Sequence, residues 1–197
     1  MKRLSFLLVL FFFTFTIQAQ QEEILDVVAE TIAEDSVVQK PHRRAFYFEA
    51  FKEVNGVIDS IVIYKSKRMM QTYHHGEKMK LYIISLGMAP SGKKEFEGDL
   101  KTPEGLYYIN ERDAISSYHK NLGISYPNRR DSIRAAVQGK SAGSEIKIHG
   151  FPNLHRMADE RELMNTDWTL GCIAVTDHEI DELFTWVRNY CPILILP

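Results

Sequence analysis

Cysteine is almost missing from this 197-residue chain, occurring only as Cys172 and Cys191. One bridge at most is available, which excludes a small scaffold held together by a disulfide framework. An excess of one charge is missing too. Lys and Arg number 24 against 26 Asp and Glu, a net of -2, and no run of one sign marks a nucleic-acid-binding surface or a charged tail. Glycine and proline, at 11 and 7 residues, are too few for a collagen-like or low-complexity chain. With 45% hydrophobic and 25% charged residues, the composition also excludes a multi-span membrane protein and suits one globular domain plus an appendage.

The appendage reads as an export signal. Lys2 and Arg3 precede an apolar run from Leu4 to Ile17, and Ala19 offers a small residue for cleavage. The run is shorter than the roughly 20 apolar residues of a spanning helix, so residues 1–19 read as a cleaved signal peptide rather than a retained anchor. No cysteine stands there for lipid attachment. The expected location is the periplasm or cell envelope, with membrane association only if the signal is kept. Residues 20–45 form an acidic leader, read as a solvated spacer, although Ile24, Val27, Val28, Ile32 and Ala33 fall at roughly helical spacing.

From residue 46 the chain turns strand-rich. Ser60–Tyr64, Met69–Tyr73, Met79–Ser85, Gly105–Asn110 and Ile146–His149 are β-branched or aromatic runs. His74-His75-Gly76-Glu77 reads as a hairpin turn with both imidazoles in solvent. One helix is expected after Thr176, where T-x-x-E capping spacing precedes Ile180, Leu183, Phe184 and Val187. Pro192 stops it, and Ile193–Leu196 reads as a closing buried strand. Many short strands with few helices predict a mainly β domain, a sandwich or barrel, over residues 46–197.

Two residues can carry nucleophilic chemistry. Cys172 follows Gly171 and leads into an apolar strand, while His149 ends another strand 23 residues upstream. A thiol attacks as thiolate, and a neighbouring imidazole can take its proton. In an oxidising compartment a Cys172–Cys191 disulfide is the competing reading, and composition leaves both open. Zinc bound by His149, His155 and Cys172 does not fit the usual ligand spacings. His178 falls in a first helical turn and Cys191 reads as a buried thiol.

The ordered motifs resemble the L,D-transpeptidase (YkuD-type) catalytic domain of bacterial cell-wall enzymes. Gly98-Asp99-Leu100-Lys101-Thr102-Pro103-Glu104-Gly105 is similar to the family's G-D-x-x-T-P-x-G block, preceded by Leu86-Gly87 and Lys94. His149-Gly150 resembles its histidine strand, and Thr169-Leu170-Gly171-Cys172 its [ST]-x-G-C block. Ser125-Tyr126-Pro127-Asn128 resembles a motif of the YafK-like subgroup. Together these cover about residues 58–197.

The resemblance implies a β-sandwich of mixed sheets with a few short helices. It implies Cys172 as acylated nucleophile, His149 as base, and backbone N–H groups of Gly171 and Cys172 as oxyanion hole. Substrate-groove candidates are Gly150, Thr169, Tyr118, His119, Tyr126, Asn128 and Trp168. Lys94, Asp99 and Thr102 are expected to fix one edge of the groove. No metal or organic cofactor is implied. The implied substrates are peptidoglycan stem peptides: Cys172 attacks the carbonyl of the third, diamino-acid residue and expels D-alanine. An amine of a second stem or a wall-anchored protein then takes the thioester, or water does, giving a peptidase that trims or detaches wall-linked partners; with Cys172 bridged to Cys191 the domain would instead be a non-catalytic wall-binding module. Leu170 and Ala174 stand where the family usually has His and Arg, removing a cation that would meet a substrate carboxylate. The long segment Asn153–Trp168 is expected to act as a lid.

Overall fold

The computed structural model describes residues 57–153 and 160–197. The expected signal peptide and leader lie outside them, as does His155. Among the described residues no helix is long and apolar enough to cross a membrane.

Eight strands form one mixed sheet: β1 (Ser60–Tyr64), β2 (Met69–His74), β3 (Glu77–Ile83), β4 (Gly105–Ser116), β5 (His119–Ile124), β6 (Lys147–His149), β7 (Ile173–Ala174) and β8 (Pro192–Leu196). Their order is β3-β2-β1-β8-β4-β5-β6-β7. β1 pairs parallel with β8 and β6 with β7, and the other neighbours are antiparallel. Among the described residues three helices join them: α1 (Arg129–Val137), α2 (Glu160–Asn165) and α3 (Asp177–Trp186).

Local chemistry accounts for these elements. β1 sits between β2 and β8, so Ile61, Val62 and Ile63 are buried on both faces and show no alternation. β8 alternates instead, burying Ile193 and Ile195. Each fully buried aliphatic side chain stabilises the sheet by about 1.5–3 kcal/mol relative to exposure. The two-residue turn between β2 and β3 has positive φ at both His75 and Gly76, the geometry that matches hairpin twist. In α3 the Thr176 side chain accepts from the Glu179 N–H while the Glu179 carboxylate accepts from the Thr176 N–H. Ile180 and Leu183 turn inward from that helix, which packs on β5 and β6.

The sheet curls until its two edges meet. Beyond β3 the chain runs to Ser85, which exchanges both backbone hydrogen bonds with Ala174 of β7 at 2.9 Å. Two further bonds, Thr169 N–H to Leu86 O and Met88 N–H to Thr169 O, extend the seam. This curled mixed sheet bears out the expected mainly β fold. Strand β5 and helices α1 and α2 are additions that the sequence patterns did not show.

Candidate active site

His149 and Cys172 enter one cleft from neighbouring parallel strands. The register Ile148↔Ile173 and His149↔Ala174 sets Lys147 beside Cys172. Residues two apart on a strand share a face, so Lys147 and His149 project toward the same side. The cleft, about 440 Å³, is lined by Cys172, His149, Lys147, Glu145, Tyr118, Asn121, Trp168, Thr169 and Leu170, with the tip of the β4–β5 hairpin closing one end. Both cysteines are free thiols, so the Cys172–Cys191 bridge expected under the competing reading is not formed. Cys191 is buried, and that burial pushes its thiol up to about 12.

The imidazole is fixed by its neighbour. His149 Nδ1 lies 2.7 Å from the Gly150 carbonyl, and a carbonyl only accepts, so Nδ1 carries the proton and Nε2 of the neutral ring is the acceptor. Gly150 is held in turn by its own N–H to the Tyr118 carbonyl at 3.1 Å. A Cβ on Gly150 would lie 2.4 Å from Asp177 Oδ1, so no larger residue fits behind the histidine. Tyr118 and Trp168 pack on the ring, with centroids 4.6 and 5.6 Å away. Burial pulls the His149 pKa below its ordinary value; the Gly150 bond opposes this and the Lys147 charge adds to it.

The sulfur is poised differently from an ion pair. Burial raises the Cys172 pKa, while a backbone hydrogen bond from Lys147 and the Lys147 charge pull the other way. The thiol donates to the Glu145 carbonyl at 3.3 Å, not to His149. Thiol and imidazole therefore rest neutral, each turned by a backbone carbonyl.

The turn that presents Cys172 is built by Thr169. Its hydroxyl donates to the Cys172 carbonyl at 2.7 Å and accepts from the Gly171 N–H at 3.2 Å. The Gly171 N–H expected in the oxyanion hole is thus already engaged, which leaves the Cys172 N–H as the donor of that pair to consider. Gly171 has φ +134, and a Cβ there would lie 2.8 Å from the Lys101 carbonyl, so glycine is required. Lys101, in the G-D-x-x-T-P-x-G block, supplies that carbonyl. Lys94 pairs with Asp99 at 2.8 Å in a buried bridge, and Thr102 Oγ1 accepts from the Gly87 N–H.

Other groove candidates lie elsewhere. The His119 imidazole pairs with Asp181 of α3 at 2.7 Å and does not line the cleft. Tyr126 is buried and donates to the Ala142 carbonyl. Asn128 is the N-cap of α1, its side chain accepting from the Arg130 and Asp131 N–H groups. The polar atoms of all three are engaged by these local partners. Asp167 is a residue that motif reading missed: it binds Arg68 through both carboxylate oxygens and accepts from the Leu86 N–H. It ties the segment before Trp168 to the strand seam. Within the expected lid, Asn153–Trp168, residues 154–159 lie outside the described part and α2 occupies 160–165.

Residues 58–195 match the family model of the L,D-transpeptidase catalytic domain, YkuD. Over 135 residues the chain is 29% identical to YafK of Escherichia coli strain K12, whose own L,D-transpeptidase assignment is provisional; the match covers 66% of this chain and 47% of that protein. The fold is similar to the helical cell shape determining protein Pgp2 from Campylobacter jejuni, with TM-score 0.54 at 27% identity over 72% of this chain and 48% of that one. Bd1075 of Bdellovibrio bacteriovorus, with TM-score 0.50 at 24% identity, covers the same shares and shows the fold alone. The chain spans about half the length of these relatives.

Proposed function

The chain belongs to the YkuD family of L,D-transpeptidase catalytic domains, and from that premise we propose that it is an exported cysteine acyltransferase acting on peptidoglycan stem peptides. The observation that carries this reading is one cleft holding a free thiol and an imidazole whose Nδ1 is fixed by Gly150. Residues 1–19 supply the export signal in this reading.

In the mechanism, a stem-peptide carbonyl enters beside Cys172 and the thiol turns from the Glu145 carbonyl toward His149 Nε2. His149 takes the thiol proton as the sulfur bonds to the carbonyl carbon, and the Cys172 N–H meets the negative oxygen that develops. The tetrahedral adduct collapses, the C–N bond breaks, and His149 returns its proton to the departing D-alanine amine. An acceptor amine then attacks the thioester and loses a proton to His149; the C–S bond breaks and His149 returns that proton to the sulfur, regenerating the thiol. Starting from neutral partners suits this order, because the base need be strong only when substrate has displaced water.

Lys147 has a place in this reading. Ala174 removes the arginine the family usually carries, and the Lys147 ammonium lies in the same cleft, paired with Glu145 at 2.8 Å and Glu111 at 3.7 Å. Both glutamates are largely exposed, so a substrate carboxylate can exchange with them at small cost. A role in wall architecture accords with the likeness to Pgp2.

Purified protein incubated with defined muropeptides tests the proposal. Cross-linked dimers are expected. Shortened monomers alone would make it a peptidase, and no change in either product would remove the acyl-transfer reading.

A further inference from the structure

At the far end of the β1–β2 pair three donors converge that the cleft does not use. Asp59 directly precedes β1, His74 ends β2, and His75 opens the turn to β3. The antiparallel register Ser60↔Tyr73 brings Asp59 beside His74. Asp59 Oδ2 lies 3.7 Å from Nδ1 of both imidazoles. Among the described residues this is the one cluster of three or more His, Cys, Asp or Glu whose ligand atoms all lie within 4.8 Å of one another.

Two features separate this cluster from an ordinary His–Asp pair. His74 Nδ1 is buried and has no hydrogen-bond partner, an expense that a bound cation removes. Both rings also turn the same nitrogen toward one oxygen, at a separation too long for a hydrogen bond. A point equidistant from three donors so spaced lies about 2.1–2.4 Å from each, near the about 2.0–2.2 Å of Zn²⁺ bonds to imidazole nitrogen and carboxylate oxygen. The third side is open, since His75 is largely exposed, so water can add a fourth ligand. The His75 N–H donates to that same oxygen, Asp59 Oδ2, at 2.6 Å, which fixes the carboxylate beside the two rings.

We propose that Asp59, His74 and His75 bind a borderline divalent transition ion, Zn²⁺ by preference, as a clip across the start of β1 and the β2–β3 turn. Two imidazoles and one carboxylate suit such an ion better than Ca²⁺ or Mg²⁺, which take oxygen ligands. The site is independent of the acyl-transfer reading.

The test uses full-length, untagged C172S protein, so that the cleft thiol does not compete for metal. Co²⁺ is added for its visible absorption, and Zn²⁺ is then titrated against a chromophoric chelator. One saturable equivalent is expected, with a rise in melting temperature on loading. His75→Asn tolerates the positive φ of 50 at that position and removes a ligand; Asp59→Asn keeps the polar side chain that faces the His75 N–H. Each is expected to weaken binding at least tenfold and abolish the thermal shift. Absence of a saturable equivalent overturns the site, as does equal binding by the C172S parent and both variants made in it.

Discussion

At the scale of single residues, the chemistry rests on which protons sit where before substrate arrives. His149 is held below the ordinary imidazole value of 6.5, mainly by burial, so it stays a neutral base to lower pH than a solvated histidine. The acid limb of kcat/KM is therefore expected below pH 6.5, with activity rising through the His149 pKa and not lost until pH falls below it; a limb above 6.5 would mean the ring is not buried as described. Cys172 is shifted up from 9.0, chiefly by burial. Its alkylation by iodoacetamide at pH 7 is expected to lag a solvated cysteine and to climb beyond pH 9. Thr169→Val keeps the shape but removes two hydrogen bonds from the turn, and should cost about 1–3 kcal/mol in unfolding free energy, along with a larger loss in kcat than in KM. The sequence made Cys172 and His149 legible because side-chain chemistry and motif order identify both. It could not show the Gly150 carbonyl as the group orienting the ring, since a backbone acceptor leaves no mark in residue type. Nor could it show that His119, Tyr126 and Asn128 spend their polar atoms on Asp181, Ala142 and the α1 N-terminus.

At the scale of elements, legibility followed the strength of local pattern. α3 was readable from its capping box and apolar spacing. α1 was not, because Arg129–Val137 buries only Asp131 and Ala135 and so carries no apolar stripe. β5, with His119, Lys120 and Asn121 in its first half, likewise lacks a strand-like run; its place comes from antiparallel pairing with both β4 and β6. Thr176→Ala is expected to destabilise the fold by about 1 kcal/mol in urea unfolding by removing the α3 cap. Gly171→Ala would force a Cβ against the Lys101 carbonyl at positive φ, an expected loss of about 1–3 kcal/mol, and the displaced turn should carry Cys172 away from His149. Circular dichroism with turnover separates these effects: Thr176→Ala should keep its rate per folded molecule, and Gly171→Ala should not.

At the scale of the whole molecule, the cleft exists because the sheet closes on itself. The Ser85–Ala174 bridge joins the segment after β3 to β7, and Asp167 binds both Arg68 and the Leu86 N–H beside that seam. Sequence patterns supplied every strand but β5, and not their order, since β8, last in the chain, lies between β1 and β4. Asp167→Ala should loosen the seam and lower both stability and kcat, while leaving the resting thiol and imidazole chemically intact.

The proposed acyl transfer requires a thioester at Cys172. Wild-type protein mixed with a stem tetrapeptide, quenched in acid and weighed intact, should gain the mass of the tetrapeptide less that of D-alanine, and digestion should place it on the Cys172 peptide. Cys172→Ala should carry none while keeping its fold, and His149→Ala should accumulate the adduct at least about a hundredfold more slowly, the scale of a lost general base. Release of D-alanine by folded Cys172→Ala protein at the wild-type rate would show that the sulfur is not the nucleophile.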